Sequence, residues 1–282
     1  MIEIAMSTLA CPKRTLAEAV AIAEAAGCDG IELRTGGVRA TELACDPFLS
    51  DESKTRGLFE VAGVKPTCLA TGVKFDSPVF PPVVGYLFDT EAEVRQAKRA
   101  IDLAAQLDCP MVRVFGFEKH GRESYKAAFK RIAGRLKLAC DHARNTGTMI
   151  VVENGGDFST AEQLAELVAA VDTTLIGASY DVALGHVSGD TPEQMTGLLR
   201  NKLKLVRVKD RAKGEPVLPG DGEIPVESFV RQLAQTRWSG SVVFEWEAAW
   251  FEGLTPIEQV LPIAVERLCE WTGQTKSAMA VA

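Results

Sequence analysis

The chain has 282 residues, 46% hydrophobic and 24% charged, the balance of an ordinary globular protein and not of a disordered or fibrous one. Its 38 acidic residues outnumber 31 lysines and arginines, for a formal net charge of −7, with no basic run interleaved with aromatics. That balance argues against a binder of nucleic-acid backbones, which needs a basic face.

The N-terminal MIEIAMSTLACPKR carries Glu3 at once and lacks the basic n-region of a secretory signal. Within it IEIAMST (2–8) reads as a strand, and TLAEAVAIAEAAG (15–27) as an alanine-rich helix stopped by Gly27. CDGIELR (28–34) is the next strand and SKTRGLFEVAG (53–63) the next helix. VKPTCLAT (64–71) leads into FDSPVFPPVVGYLFD (75–89), whose prolines and aromatics predict a long irregular loop. TEAEVRQAKRAIDLAAQLD (90–108) is a helix in which Thr90 and Glu93 have capping-box spacing. MVRVFGF (111–117) follows, then a long helix over about 122–146.

The second half keeps this rhythm. Strand TMIVVEN (148–154) precedes helix TAEQLAELVAAV (160–171), and TLIGASYDVAL (174–184) precedes TPEQMTGLLRN (191–201). KLVRVKD (204–210) precedes PVESFVRQLAQT (225–236), and SVVFEWE (241–247) precedes PIEQVLPIAVERLCEW (256–271). These eight strand-then-helix units, with mostly apolar strands, predict one α/β domain over 1–272, a single (β/α)8 TIM barrel, and a mobile tail over 273–282. An open doubly wound sheet would carry a glycine-rich phosphate turn after its first strand, and TLACPKRT (8–15) has none. Seven scattered cysteines without a CxxC pair fit buried thiols of a reducing compartment. No apolar run approaches the roughly 20 residues of a membrane span. A cytoplasmic protein with neither nucleic acid nor membrane as partner is expected.

Active sites of such barrels lie at the C-terminal ends of the strands. Glu32 and Arg34, Arg113, Glu153 and Asn154, Asp181, Arg207 with Lys209 and Asp210, and Glu245 with Glu247 all fall there. A carboxylate in an apolar run such as VVE or VVFE needs a cation, a hydrogen-bond partner or a metal. One such residue is explained equally well by a structural ion pair; acids from three strands on one rim demand a shared counter-charge.

GIELR (30–34), VVEN (151–154), SYDVALGH (179–186), VRVKD (206–210), LPGDGEIP (218–225) and GSVVFEWE (240–247) together resemble the xylose isomerase-like TIM barrels, the sugar phosphate isomerase/epimerase group that includes endonuclease IV-type enzymes. The resemblance implies a divalent manganese, magnesium or zinc ion held by Glu153, Asp181, the residue at 207 and Glu245. The family has histidine in the place of Arg207, within a phrase like HxHxKD, while Lys209 and Asp210 match. An arginine has no lone pair for a metal, so the four-ligand site cannot form. Two readings stay open. In one, a metal remains on Glu153, Asp181 and Glu245 while Arg207 grips a substrate anion. In the other, the guanidinium takes the metal's place.

Some family members bind substrate through a histidine three residues after the strand-six Asp; Leu184 stands there and His186 follows two later. A substrate-binding Glu of the ketose 3-epimerases falls on Ser159, and a substrate-binding Arg on Lys213. Trp246, Trp250 and GYLFD (85–89) are candidates to shape the pocket or a lid, and equally to pack or to join subunits of a homo-oligomer. The activity implied is proton transfer beside the carbonyl of a keto sugar or sugar acid, through an enediolate-type intermediate. Glu153 and Glu245 would move the proton, Arg207 or the metal would be the electrophile, and Lys209 would assist. Glu32, Arg34, Arg113, His186, Lys213 and Trp246 would contact the substrate. A lyase acting on an oxo sugar acid and a non-catalytic sugar-binding barrel are the alternatives. A repair endonuclease needs a histidine-rich metal cluster, and this chain has only His120, His142 and His186, none in a strand-end ligand phrase.

Overall fold

The computed structural model describes residues 1–35, 43–78 and 91–274. Strands β1 (Ile2–Ser7), β2 (Gly30–Arg34), β3 (Lys65–Lys74), β4 (Met111–Phe115), β5 (Met149–Glu153), β6 (Ile176–Asp181) and β7 (Leu203–Val208) run parallel. A small antiparallel hairpin of β8 (Asp210–Ala212) and β9 (Glu215–Val217) follows, and then β10 (Gly240–Phe244). β10 pairs in parallel with both β7 and β1, closing an eight-stranded TIM barrel. The helices are α1 (Leu16–Ala25), α2 (Glu52–Ala62), α3 (Ala92–Gln106), α4 (Tyr125–His142), α5 (Ala161–Val171), α6 (Val182–Val187), α7 (Pro192–Leu199), α8 (Val226–Gln235) and α9 (Ile257–Thr272).

Local chemistry sets several of these boundaries. Thr15 with Glu18, Thr160 with Gln163 and Thr191 with Gln194 form reciprocal capping boxes at the starts of α1, α5 and α7, satisfying amides the helix itself leaves free. The box expected from Thr90 and Glu93 involves a residue outside the described ones. Glu93 accepts the Ser77 amide at 3.2 Å and pairs with Arg135 at 3.3 Å. The GYLFD segment and residues 275–282 of the expected tail also lie outside them, while Gly273 ends α9 in the left-handed conformation. The strand expected over 174–184 stops at Asp181. That carboxylate accepts the Leu184 amide at 3.0 Å and so caps α6, which starts one residue later.

Alternation along the strands separates two cores. Val206 and Val208 of β7 belong to the large helix-facing core, whereas Leu205 packs in the barrel centre with Ala5, Cys68, Val151 and Val243. Two residues further along each of four of these strands stand Arg207, Ser7, Glu153 and Glu245. An apolar floor thus carries a polar layer directly above it, toward the C-terminal mouth. Arg207 lies in an apolar run because the barrel interior changes character between those two layers.

Candidate active site

The polar layer is a connected network of buried charges. Arg207 Nη1 donates to both oxygens of Glu153 at 3.2 Å, and Nη2 lies 3.3 Å from Glu32 Oε1 and against Glu245 Oε2. Glu153 is also held by Arg113 Nη1 at 2.8 Å and by the Ser179 hydroxyl at 3.0 Å. Arg113 is anchored in turn by the Thr71 carbonyl at 3.1 Å and stacks over the Phe115 ring. The Ser7 hydroxyl donates to Glu32 Oε1 at 2.8 Å. The side chains of Glu32, Arg113, Glu153, Arg207 and Glu245 are all at most 5% exposed.

A second cation continues the network. Lys209 Nζ lies 2.8 Å from Asp181 Oδ2, 3.0 Å from Glu245 Oε1 and 3.8 Å from Glu247 Oε1. Its side chain, 16% exposed, is more open than any of these acids. Arg211 grips Glu247 with both arms, at 2.9 and 2.6 Å. Asn154 positions Asp181 from both sides: its Oδ1 accepts the Asp181 amide at 2.7 Å and its Nδ2 donates to the Asp181 carbonyl at 3.2 Å. Asp210, the match to the last letter of the family phrase, is turned elsewhere. Its carboxylate accepts the amides of Arg211, Gly220, Gly222 and Ile224 at 2.8–3.0 Å, pinning the LPGDGEIP loop. A Cβ on Gly222 would collide with that carboxylate.

Burial raises the Glu153 carboxyl, but the guanidinium groups of Arg113 and Arg207 outweigh it and hold Glu153 at about 2. Burial disfavours the charged form of Arg207, yet Glu153, Glu32 and Asp181 overcome this and push its pKa upward. Both groups are therefore locked in their charged forms. Arg34, which ends β2, is pushed the other way, down to about 9, by burial and then by Arg113 and Arg207.

The donor set does not fit the divalent ion that the family pattern implies. All six carboxylate oxygens of Glu153, Asp181 and Glu245 are in contact with a guanidinium, an ammonium, a hydroxyl or an amide. No group of three or more His, Cys, Asp or Glu among the described residues is arranged to hold a metal. The three acids meet on two cations: Arg207 joins Glu153 to Glu245, and Lys209 joins Glu245 to Asp181.

Of the expected substrate contacts, Glu32 and Arg113 belong to the network, and Arg34 lies within its electrostatic reach. Three others are not brought to it by any hydrogen bond or ion pair. His186 is exposed in the last turn of α6. Lys213 is exposed at the tip of the β8–β9 hairpin with φ 54°, its amide donating to Glu223. Trp246 is packed in the core, its indole N–H bound to the Thr255 carbonyl at 3.0 Å, because the chain turns back there and buries the ring. Ser7 and Ser179, which sequence reasoning passed over, carry a signal. Each is a hydroxyl on an inward position at the mouth end of its strand. A cavity of about 490 Å³ opens at the other end of the barrel, beside Glu3, Lys65, Pro66, Thr67, Met111 and Ser241; no member of the network lines it.

The comparisons with known proteins agree with this architecture. A solved structure of an IOLI protein with a binding zinc atom has a TM-score of 0.78 at 19% identity, covering 96% of this chain and 98% of that one. An L-ribulose 3-epimerase structure gives 0.79 at 16% identity, covering 97% and 95%. A 3-keto-D-glucoside 4-epimerase from E. coli gives 0.75 at 16% identity, covering 96% and 100%. At such identities the likeness is one of fold. No curated protein matches the sequence. No helix among the described residues is long and apolar enough to cross a membrane. The model of the xylose isomerase-like TIM barrel family matches residues 20–271, most of the sequence, and the chain belongs to that family.

Proposed function

We propose that this protein is a sugar isomerase or epimerase-like enzyme that moves a proton next to the carbonyl of a keto sugar or sugar acid. In this reading the Arg207 guanidinium does the work otherwise given to a metal. Its position among Glu32, Glu153 and Glu245 is the observation that carries the proposal. A fixed cation at the barrel mouth stabilises the oxyanion of an enediolate as charge develops. Its planar N–H fork suits an oxygen with two in-plane lone pairs.

The two glutamates divide the remaining roles. Glu153, held at about 2, is a poor proton acceptor at neutral pH. Its charge instead keeps Arg207 in place. We assign Glu245 as the base that takes the proton from carbon: one of its oxygens meets Lys209, the more open cation, with which it can exchange that proton. Lys209 can return a proton through Glu245 or directly, while Asp181 balances its charge. The neighbouring folds include an L-ribulose 3-epimerase and a 3-keto-D-glucoside 4-epimerase, which supports a substrate of the sugar class.

The test is proton NMR in D2O with a panel of ketoses and keto sugar acids, following deuterium wash-in beside the carbonyl, with CO2 release monitored in parallel. Exchange by the native protein, lost in a folded Glu245→Gln variant, is expected. Exchange undiminished in that variant removes Glu245 from the mechanism, no exchange on any panel member overturns the activity, and stoichiometric CO2 release replaces it with a decarboxylase.

A further inference from the structure

Five cations and five carboxylates meet at the mouth. Arg34 and Arg113 stand beside Glu32 and Glu153 on β2, β4 and β5. Lys209 and Arg211 stand beside Asp181, Glu245 and Glu247. Arg207 of β7 reaches Glu32, Glu153 and Glu245 and joins the two groups. The site is neutral as a whole.

One cation stands apart from this pairing. Arg113, Arg207, Lys209 and Arg211 each touch a carboxylate, whereas Arg34 has no ion pair and no side-chain hydrogen bond among the described residues. Its Nε is buried without a partner, its guanidinium lies 5.8 Å over the Trp250 ring, and the repulsion of Arg113 and Arg207 outweighs the attraction of Glu32 and Glu153. Glu32 Oε2 and the Nε atoms of Arg34, Arg113 and Arg207 are buried side-chain atoms with no hydrogen-bond partner among the described residues. Unmet hydrogen-bonding capacity therefore gathers around Arg34, a cation that is only partly exposed.

We infer that the substrate is a polyhydroxylated carboxylate, a sugar acid, whose carboxylate is taken by Arg34 while its hydroxyls donate toward the acid-rich side at Asp181, Glu245 and Glu247. The inference rests on the isomerase reading of the same site and narrows it from sugars in general to anionic ones. A carboxylate meets the planar fork of Arg34 in two parallel hydrogen bonds and gives that cation the anionic partner it lacks. The hydroxyls of a polyol chain supply donors that carboxylates accept.

The experiment measures binding, not turnover, so its outcome is separable from that of the exchange assay. D-gluconate, sorbitol and glucose 6-phosphate are titrated calorimetrically at one ionic strength into the native protein and into Arg34→Gln. Gluconate is expected to bind at least tenfold more tightly than sorbitol. Arg34→Gln should weaken gluconate about 10- to 100-fold, the range of one charge-assisted pair, and leave sorbitol unchanged. The ligand-free variant should melt no lower than the native protein, since it loses a partly buried cation that makes no ion pair among the described residues. Equal binding of gluconate and sorbitol, unaltered gluconate binding by the variant, or a lowered melting temperature overturns the assignment. Preference for glucose 6-phosphate over gluconate overturns the carboxylate in favour of a phosphate.

Discussion

Replacing Arg207 by methionine keeps an unbranched chain of similar reach and removes the charge that three buried acids share. Glu153 would keep Arg113 at 2.8 Å and Ser179 at 3.0 Å, and Glu245 would keep Lys209 at 3.0 Å. Glu32 would be left with only the Ser7 hydroxyl. Removing one partner of a buried ion pair typically destabilises by about 3–5 kcal/mol, and that range is expected at pH 7. The pH dependence should also change sign. In the native protein Glu153 sits at about 2 against an ordinary 4.5. This depressed value contributes about 3 kcal/mol that is present above pH 4.5 and lost as pH falls toward 2. In the variant the under-neutralised acids have raised pKa values, so the folded state binds more protons than the unfolded one at neutral pH. Its stability should rise as pH falls from 7 toward 5, where the native protein is flat. Urea denaturation followed by circular dichroism at pH 7, 6 and 5 reads both effects. A variant within about 1 kcal/mol of native at pH 7, with the same pH slope, refutes the shared-cation reasoning; the threshold lies well below the expected pair loss.

Asp210→Ala should release the loop held by three of its hydrogen bonds. Hydrogen exchange is then faster at Gly220, Gly222 and Ile224, and stability falls by roughly 2–4 kcal/mol; unchanged protection there would contradict the pinning role. All seven cysteines are buried and unbridged, and burial pushes the Cys11, Cys109 and Cys140 thiols up to about 12. A thiol reagent at pH 8 should label the native protein slowly and titrate all seven on denaturation; rapid native labelling would place a reactive thiolate where none is expected.

Much of this arrangement is legible in the chain. The eight strand-helix units announce themselves through the alternation of short β-branched runs and amphipathic segments. The acids at 153, 181 and 245 stand out because a carboxylate in an apolar run is costly without a partner. The charged residue in LVRVKD marks the level at which the barrel interior turns from apolar to polar, and its identity flags the departure from the family's ligand set. The pairing itself is not legible. Whether Arg207 meets Glu32 across the barrel depends on strand tilt and stagger, which set the residues that share a height. No local pattern encodes these. The same ignorance of register hid Ser7 and Ser179. His186 and Lys213 were placed by analogy of spacing, but α6 begins immediately after Asp181 and the β8–β9 hairpin carries Lys213 to its tip. Both features change where a fixed sequence offset points.

If Arg207 stands where the proposed function puts it, in the place of a divalent ion, metal uptake reveals it. Native protein and Arg207→His, each purified without chelator and dialysed against manganese or zinc, are analysed for bound metal by inductively coupled plasma mass spectrometry. We expect no stoichiometric metal in the native protein and one ion per chain in Arg207→His, where a lone pair joins Glu153, Asp181 and Glu245. One tightly held ion per native chain, lost together on substitution of Glu153 or Asp181, would contradict that placement.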